Sequence, residues 1–378
     1  MTEQIYDFLV IGAGMAGASI AAELAPYASV LVLEGEDVPG YHSTGRSAAF
    51  WEECYGGPGI VPLTMASGHF LREHDLLRER GALYIGREQD SDQLDAFMHR
   101  FAGTGVTIER RGRATLLERI PGAREEWSDC IWQPACADID VAALHQHYLK
   151  TFVQAGGLLQ CRSRVCEIVR QKGIWQISTE AGETHRAAQI VNSSGAWADT
   201  MAQLAGARPL GIAPKRRTVA QLRVDPAASI DLPLVLDING GFYFKSDNGR
   251  LWLSPHDEIP SVPCDAAPEE VDVALAIDRF QSMTDWRIEA VERRWAGLRS
   301  FAPDRLPVYG PDPEVDGFMW FAGQGGFGIQ TAPAAARLGA QIMLGHTSDS
   351  MTSSIDPAKY SPSRFKVVKD QVFEAHVL

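Results

Sequence analysis

Three glycines near the amino terminus have the spacing of a phosphate-binding turn. Gly12, Gly14 and Gly17 follow a short apolar run at residues 6–11 and open an alanine-rich segment at residues 15–25. In such a turn the first glycine permits a tight bend, the second lets a pyrophosphate approach the backbone, and the third lets the helix pack closely on the strand. The free N–H groups at the start of that helix also favour phosphate. The spacing therefore predicts a dinucleotide site.

A carboxylate stands where such a site needs one. Glu34 directly follows a second apolar run, residues 30–33, which is predicted to be the second strand of a βαβ unit. At that position a carboxylate would hold the hydroxyls of a ribose. A purely structural turn at the glycines would leave Glu34 unexplained. The pattern does not choose between FAD and NAD.

Two further polar or glycine-rich segments are candidates for the same cofactor. Ser43, Thr44, Arg46 and Ser47 lie in a loop that could bind a pyrophosphate and a flavin, with an ordinary polar loop as the alternative. Residues 323–326 hold three glycines between an apolar run and a predicted helix. Their amides could stabilise negative charge on a flavin, whereas a simple strand-to-helix turn hardly needs three glycines.

The elements that must position these residues alternate between two kinds. Periodicity predicts helices over residues 15–25, 68–79, 93–102, 141–155 and 332–344. It predicts strands over residues 6–11, 30–33, 82–85, 165–170, 175–179, 190–191, 219–224, 242–245, 251–254 and 317–322. Turns at residues 239–241 and 247–249 indicate hairpins.

This alternation predicts a nucleotide domain interrupted by a second domain. We expect residues 1–80, 141–209 and 302–378 to form a discontinuous dinucleotide-binding domain. Residues 81–140 and 210–301 are expected to form a substrate domain. A chain of 378 residues is long enough for both.

Composition restricts the classes of partner. The net charge of −13 disfavours nucleic acid and anionic membranes as main partners, because both attract cations. The six cysteines and the histidines have no zinc-ligand spacing, so no metal is expected. The chain begins without a basic segment and has no run of about 20 apolar residues, which predicts a cytoplasmic protein with no transmembrane segment. Peripheral attachment to the inner face of the membrane stays open.

Taken together, these motifs resemble the D-amino-acid oxidase superfamily of FAD flavoproteins. The resemblance extends in order over nearly the whole chain and is closest to the D-arginine dehydrogenase type. It lies in residues 12–17 with Glu34, 41–49, 191–199, 214–217, 295–301 and 323–331.

The resemblance implies an α/β fold with a glutathione-reductase-type, Rossmann-like FAD domain and a substrate domain built on a large mixed, mainly antiparallel sheet. It implies oxidation of a D-amino acid by hydride transfer to flavin N5, with FAD bound non-covalently and a quinone or another respiratory carrier as the candidate electron acceptor. The cofactor residues it implies are Gly12, Gly14, Gly17, Glu34, Ser43, Thr44, Arg46, Ser47, Val165, Gly195, Trp197, Gly323, Gly325, Gly326, Gly328, Ile329 and Gln330.

The resemblance also implies a substrate site. Arg299 matches the arginine that binds the substrate carboxylate, and a guanidinium fork suits that task. Arg217, Tyr243 and Tyr55 match further substrate-side positions. No catalytic base is evident, since His42, His256 and His346 are candidates by residue type alone.

The expected side-chain pocket departs from the arginine-oxidising pattern. It comprises Phe50, Glu52, Ala82 and Gly326, and Ala82 stands where that type has an acidic residue. Either Glu52 replaces this carboxylate, or it faces solvent and the pocket takes uncharged or aromatic side chains. An oxidase of glycine or of a secondary amine, and a flavin-dependent 2-hydroxy-acid dehydrogenase, stay open as alternatives.

Overall fold

The computed structural model describes residues 4–365. Its α-helices are α1 (Met15–Leu24), α2 (Val61–Glu73), α3 (Ser91–Phe101), α4 (Arg113–Arg119), α5 (Val141–Gln154), α6 (Ala198–Leu204), α7 (Glu270–Met283) and α8 (Ala332–Leu344).

The strands of the first half of the chain are β1 (Ile5–Ile11), β2 (Val30–Leu33), β3 (Phe50–Trp51), β4 (Leu77–Glu79), β5 (Ala82–Arg87), β6 (Glu109–Gly112), β7 (Trp127–Gln133), β8 (Ala137–Ile139), β9 (Leu158–Gln160), β10 (Val165–Gln171), β11 (Ile174–Thr179) and β12 (Thr184–Asn192). Those of the second half are β13 (Ala213–Asp225), β14 (Leu234–Asp237), β15 (Tyr243–Asp247), β16 (Arg250–Ser254), β17 (Ile259–Pro260), β18 (Arg287–Phe301), β19 (Val308–Pro311), β20 (Phe318–Ala322) and β21 (Gln324–Gly325).

An eight-stranded sheet carries the glycine turn. Its order is β10-β11-β12-β1-β2-β9, with β20 beside β12 and β19 beside β20. The pairs around β1 are parallel. In β1, Phe8 and Val10 pack into the core formed with α1, α5 and α8, whereas Leu9 and Ile11 pack into the core on the opposite face. A parallel strand that is covered on both faces needs such a continuous apolar run. This run is the feature from which β1 could be predicted.

A ten-stranded sheet carries Arg217 and Arg299. Its order is β21-β18-β13-β16-β15-β14-β5-β7-β6, and β17 pairs with β13. It is mixed, because β14 pairs with β5 in parallel whereas the pairs along β13, β15, β16 and β18 are antiparallel. Val235, Phe244 and Leu253 lie on the face that packs against α7. The opposite face holds the polar and aromatic residues of the site. The predicted fold class is confirmed.

A three-stranded sheet in the order β3-β8-β4 joins segments that were assigned to different domains. β8 lies within residues 81–140, whereas β3 and β4 lie within residues 1–80. The division into domains stays a prediction.

Several predicted elements need correction. The helix expected over residues 68–79 begins earlier, as α2, and ends at Glu73, while residues 77–79 form strand β4. The backbone turns at Asp75, which has a left-handed φ of 54°. Helix α7 and most of β18 were not predicted. Both carry many charged residues, which hide their apolar faces in the sequence pattern.

Candidate active site

The glycine turn between β1 and α1 is shaped by close backbone approaches. Gly12 has a φ of +95°, which a residue with a side chain rarely adopts. A Cβ on Gly17 would lie 1.7 Å from the Gly12 carbonyl oxygen, so only glycine lets α1 pack against the turn. The N-cap Gly14 offers no side chain to the first helical turn. That end of α1 can therefore receive a phosphate.

Glu34 is held rigidly at the end of β2. Its Oε2 accepts a hydrogen bond of 2.8 Å from the Ala13 amide, and its Oε1 accepts one of 2.9 Å from the Glu36 amide. Each oxygen keeps a further lone pair, and Glu34 lines the main cavity together with Gly12 and Gly14. The geometry fits a carboxylate that holds ribose hydroxyls beside a phosphate turn.

The loop of residues 43–47 joins the two sheets. Thr44 Oγ1 accepts a hydrogen bond of 2.9 Å from the Met15 amide, and Ser43 donates one of 2.5 Å to the Leu298 carbonyl. Arg46 donates to the Ala266 carbonyl at 2.8 Å and forms an ion pair with Asp265. Arg46 lines the cavity, but these protein partners occupy its guanidinium, so its contact with a pyrophosphate stays a prediction.

The pairing of β13 with β18 brings the two predicted arginines to one face of the large sheet. Arg217 lies opposite Gly297, and Lys215 lies opposite Arg299. Directly opposite residues share a face, as do residues two apart along a strand. Arg217 and Arg299 therefore point to the same side, into the cavity.

Arg299 is fixed by a tyrosine and a carboxylate. Its Nη1 donates to the Tyr55 hydroxyl at 2.8 Å, and its Nη2 donates to Glu258 at 2.9 Å. The side chain is 12% exposed. Burial opposes the charge of Arg299, but Tyr55 and Glu258 outweigh it and raise the pKa of the guanidinium. Arg299 therefore stays cationic inside the cavity wall.

Arg217 has a less complete set of anionic partners. Its Nε donates to the Asp257 carbonyl at 2.7 Å, and its Nη2 donates to the His256 carbonyl at 3.2 Å. The Asp257 carboxylate lies 3.6 Å from Nε. Burial, followed by repulsion from Arg299, lowers the pKa of Arg217. A bound anion would relieve both effects.

Glu258 was not singled out in the sequence, yet four cations lie within 4 Å of it, Arg217 at 3.9 Å among them. It accepts hydrogen bonds from Arg299, from Arg305 at 2.8 and 2.9 Å, and from Lys215 at 3.2 Å. Burial raises the pKa of Glu258, but these cations outweigh burial and bring it down to about 2. Nothing local marks this glutamate, because its partners come from β13, β18 and the segment after β18.

Gly326 brings the glycine-rich segment against the arginine. A Cβ at Gly326 would lie 2.0 Å from the Tyr55 hydroxyl and 2.7 Å from Arg299 Nη1. Gln324 and Gly325 form β21, which was not predicted and which pairs with Ser300 and Phe301 at the end of β18. Helix α8 begins only at Ala332. The segment therefore lies over the arginine through strand pairing rather than through a helix terminus.

Aromatic and aliphatic side chains form the remaining wall near the arginines. The ring of Phe50 lies 5.4 Å from that of Tyr55 and 6.1 Å from that of Tyr243. Leu236 is the direct neighbour of Tyr243 on the adjacent strand. All four residues line the cavity. Leu236 was not predicted, since it is a strand residue with no motif.

Glu52 lies in neither of its two expected places. It does not line the cavity, and it is 0% exposed. Its Oε1 accepts a hydrogen bond of 3.1 Å from the Cys54 amide. Burial raises the pKa of Glu52 to about 7, against opposing hydrogen bonds from Tyr84 and Cys54. Ala82 is likewise 0% exposed within β5 and does not line the cavity.

One cavity brings together most of the predicted residues. Those that line it are Gly12, Gly14, Glu34, Ser43, Thr44, Arg46, Ser47, Phe50, Tyr55, Val165, Gly195, Trp197, Arg217, Tyr243, Arg299, Gly323, Gly325, Gly326, Gly328, Ile329 and Gln330. Gly17, Glu52 and Ala82 lie outside the lining. The cavity thus extends from Glu34 to Arg217 and Arg299, and its length is what an extended dinucleotide with a substrate beyond it would require.

The three candidate histidines occupy different places. His256 lines the cavity beside Tyr243, with ring centroids 5.6 Å apart, and burial with Arg217 lowers its pKa to about 3. His42 lies 3.0 Å from Glu36, towards the Glu34 end. His346 is exposed and packs on Tyr27. None of them is placed as a strong base near the arginines.

Residues 4–365 contain neither a metal-binding cluster nor a membrane-spanning helix. No group of three or more His, Cys, Asp or Glu side chains in that range is placed to hold a metal ion. No helix in that range is long and apolar enough to cross a membrane.

Comparisons with known proteins agree with this geometry. The family described as DAO, FAD dependent oxidoreductase, matches residues 7–342. The hydrogen cyanide synthase subunit HcnC of Pseudomonas aeruginosa is 22% identical over 96% of each chain. Glycine oxidase of the same organism is 28% identical over 50% of this chain and 48% of its own.

A solved structure is similar over almost the whole chain. The crystal structure of glycine oxidase from Geobacillus kaustophilus has a TM-score of 0.80 at 22% identity and covers 94% of this chain and 98% of its own. These relatives support the superfamily predicted from the motifs, but not the D-arginine dehydrogenase type in particular.

Proposed function

We propose that this chain, which belongs to the DAO family of FAD-dependent oxidoreductases, oxidises the α-carbon of a small D-amino acid. The product would be the imino acid, which water hydrolyses to a 2-oxo acid and ammonia. One observation carries the proposal: two arginines on one face of the large sheet, Arg217 and Arg299, line the cavity beside the glycine-rich segment.

The cofactor is FAD, and the cavity fits it. Gly12 and Gly14 line the cavity at the start of α1, where a pyrophosphate can approach the backbone, and Glu34 is fixed with free lone pairs at the expected ribose position. When bound, FAD accepts the hydride that leaves the substrate carbon. The chain itself has to hold the substrate, orient that carbon and exclude competing contacts.

Arg299 and Arg217 are suited to bind the substrate carboxylate. Nη1 of Arg299 and the Tyr55 hydroxyl lie together beside Gly326, where a carboxylate can receive two hydrogen bonds. Arg217 adds a second positive charge from the same face of the sheet. A carboxylate held in this way fixes the α-carbon at one distance from the cofactor.

The amine has to be neutral when hydride leaves the α-carbon. His256 is the imidazole nearest to Arg217, and its lowered pKa of about 3 makes it a weak base at neutral pH. We therefore assign no catalytic base and expect the amine to lose its proton to water before the reaction. The cationic arginines favour this loss, because they disfavour an ammonium group nearby.

An oxidase of glycine or of a secondary amine is the second candidate. It is supported by the similarity to glycine oxidase of Pseudomonas aeruginosa, which is 28% identical over half of this chain. The D configuration is proposed from the family resemblance of the motifs around Arg217 and Arg299. The class of electron acceptor is proposed from that resemblance alone.

Anaerobic mixing of the purified holoenzyme tests the proposal. We expect D-amino acids to bleach the flavin absorbance and their L-enantiomers, glycine, sarcosine and 2-hydroxy acids to react at least about tenfold more slowly. Faster bleaching by glycine or sarcosine would favour the second candidate. Bleaching by 2-hydroxy acids alone would refute both hypotheses in which the substrate is an amine.

Readmission of air then separates the two acceptor classes. Slow reoxidation by oxygen with fast reoxidation by a quinone would identify a dehydrogenase, and fast reoxidation by oxygen an oxidase. Arg299→Ala is the matched control: it should stay yellow and lose bleaching at ordinary substrate concentrations.

A further inference from the structure

The residues next to the arginines define a wall that contains no charged group. Leu236 and Tyr243 are directly paired on β14 and β15 and are both 5% exposed. Phe50 packs edge-on against Tyr243, with its ring 6.1 Å from that of Tyr243. These three side chains line the cavity. We propose that this apolar wall receives the side chain of the substrate and that the enzyme selects uncharged side chains over basic and acidic ones. The inference rests on the proposed function.

A carboxylate that could pair with a basic side chain lies behind the wall and is closed off from the cavity. Tyr84 is the direct neighbour of Leu236 on β5, and the Glu52 carboxyl lies beside Tyr84 and Cys54. Glu52 is 0% exposed and does not line the cavity. A basic side chain would have to displace Leu236 or Phe50 to reach it.

The two acidic residues beside the arginines are already occupied. Asp257 accepts hydrogen bonds of 2.8 and 3.0 Å from the amide and hydroxyl of Thr218. Glu258 is bound by Arg299 and Arg305, as well as by Lys215. A basic side chain would therefore enter a region in which Arg217 and Arg299 add positive charge and no carboxylate is free to pair with it.

An acidic side chain meets a different obstacle. Arg217 and Arg299 are needed by the α-carboxylate, and Leu236, Phe50 and Tyr243 in the wall bring no further positive charge to a second carboxylate. Burying an unpaired charge against such a surface is costly, whereas a methylene chain or an aromatic ring gains by burial there.

Near-isosteric substrates give the sharpest test on the wild-type holoenzyme. D-norleucine, D-lysine and D-glutamate present similar reach with a neutral, a positive and a negative end. We expect kcat/KM, measured with a dye acceptor, to be at least about tenfold higher for D-norleucine than for either charged substrate. Equal or higher values for D-lysine or D-glutamate would overturn the inference, and so would a preference for glycine over D-norleucine.

A pair of variants tests whether the substrate side chain lies against the apolar wall. Leu236→Glu and Leu236→Gln have the same shape and differ in charge. We expect the ratio of kcat/KM for D-lysine to that for D-norleucine to be at least about tenfold higher in the Glu variant than in the Gln variant. Equal ratios would show that the substrate side chain lies elsewhere.

If either variant fails to retain FAD, the wild-type comparison decides alone. Different results would refute the proposed function and the present inference. A wild-type enzyme that no amino acid reduces would refute the proposed function. An enzyme that amino acids reduce without regard to charge would refute only this inference.

Discussion

Gly326→Ala is the substitution that should separate cofactor binding from substrate binding. The φ of Gly326 lies outside the left-handed region, so the backbone accepts alanine without strain. The new Cβ, however, would lie 2.0 Å from the Tyr55 hydroxyl and 2.7 Å from Arg299 Nη1. Ordinary van der Waals contact begins at 3.4 Å, so the hydroxyl has to move by more than 1 Å.

The magnitude follows from this displacement. Tyr55 and Arg299 share a hydrogen bond of 2.8 Å, so both groups proposed to hold the carboxylate move together. A misplacement of about 1 Å at a reacting centre costs about 100-fold in rate, or about 2.7 kcal/mol. We expect kcat/KM for the best D-amino acid to fall by about that factor. Gly326 is also one of the cofactor residues that the resemblance implies, but the atoms nearest to its new Cβ belong to Tyr55 and Arg299, so we expect FAD to be retained.

Steady-state kinetics and the flavin content of the purified variant are the assay. Gly112→Ala is the matched control, since a Cβ at Gly112 meets nothing within 4 Å. Tyr55→Phe in the Gly326→Ala background removes the clashing oxygen, so the two substitutions should together cost less than the sum of their separate effects. Wild-type kinetics for Gly326→Ala, or additive effects in the double variant, would refute the reasoning.

Three further predictions concern single side chains. Glu34→Ala should weaken FAD binding by about 1–3 kcal/mol, measured by fluorescence titration of the apoprotein, and unchanged affinity would remove Glu34 from the cofactor site. Arg299→Lys keeps the charge but loses the fork that reaches Tyr55 and Glu258, so KM should rise strongly; Arg299→Ala should lose about 2–5 kcal/mol in kcat/KM. In the folded chain the pKa of Glu52 is raised from 4.5 to about 7. The contribution of its protonated form to the free energy of unfolding is therefore complete below pH 4.5 and is lost as the pH rises through 7. Thermal unfolding should show that Glu52→Gln removes about 3 kcal/mol of this pH dependence, and identical pH profiles for the two proteins would contradict the burial of Glu52 as an acid.

The glycine turn and Glu34 could be placed from the sequence because the elements that position them are contiguous. The apolar run of β1, the three glycines, α1 and β2 with Glu34 lie within one stretch of 30 residues, β1 to Glu34, and each has a local signature. Strand β2 and helix α8 have the predicted bounds. These elements are neighbours both along the chain and in the structure, so local sequence patterns were sufficient to predict their arrangement.

The substrate end depends on pairing over long distances. Arg217 and Arg299 meet because β13 lies antiparallel to β18, and a shift of one residue would turn either arginine to the opposite face. In the exposed half of β18 the alternation of polar and apolar residues is limited to residues 287–290 and is lost at Glu292 and Arg293. The resemblance to a family indicated the two arginines, but neither Glu258 nor Leu236 carries any signal in the sequence.

Glu52 shows why a general expectation about residue types failed. Glutamate is usually exposed, and Glu52 was expected in solvent or in the pocket. The segment from Trp51 to Cys54 is instead buried throughout, because Trp51 packs into the core around α1 and α8 and Cys54 packs into a core with Tyr84. The carboxyl is tolerated there in its neutral form, beside Tyr84 and Cys54. Only tertiary packing determines this outcome.

The balance of charge explains why the arginine end of the cavity suits an anion. Arg217, Arg299, Arg305 and Lys215 contribute four positive charges, and Asp257 and Glu258 contribute two negative ones. A network that served only stability would gain from matched charges, because an unpaired buried charge is costly. The chain as a whole is strongly acidic, at −13, so the local excess is not an effect of composition. A substrate carboxylate would remove part of this excess, which is the electrostatic reason to expect that anion binding at Arg217 and Arg299 is what the arrangement serves.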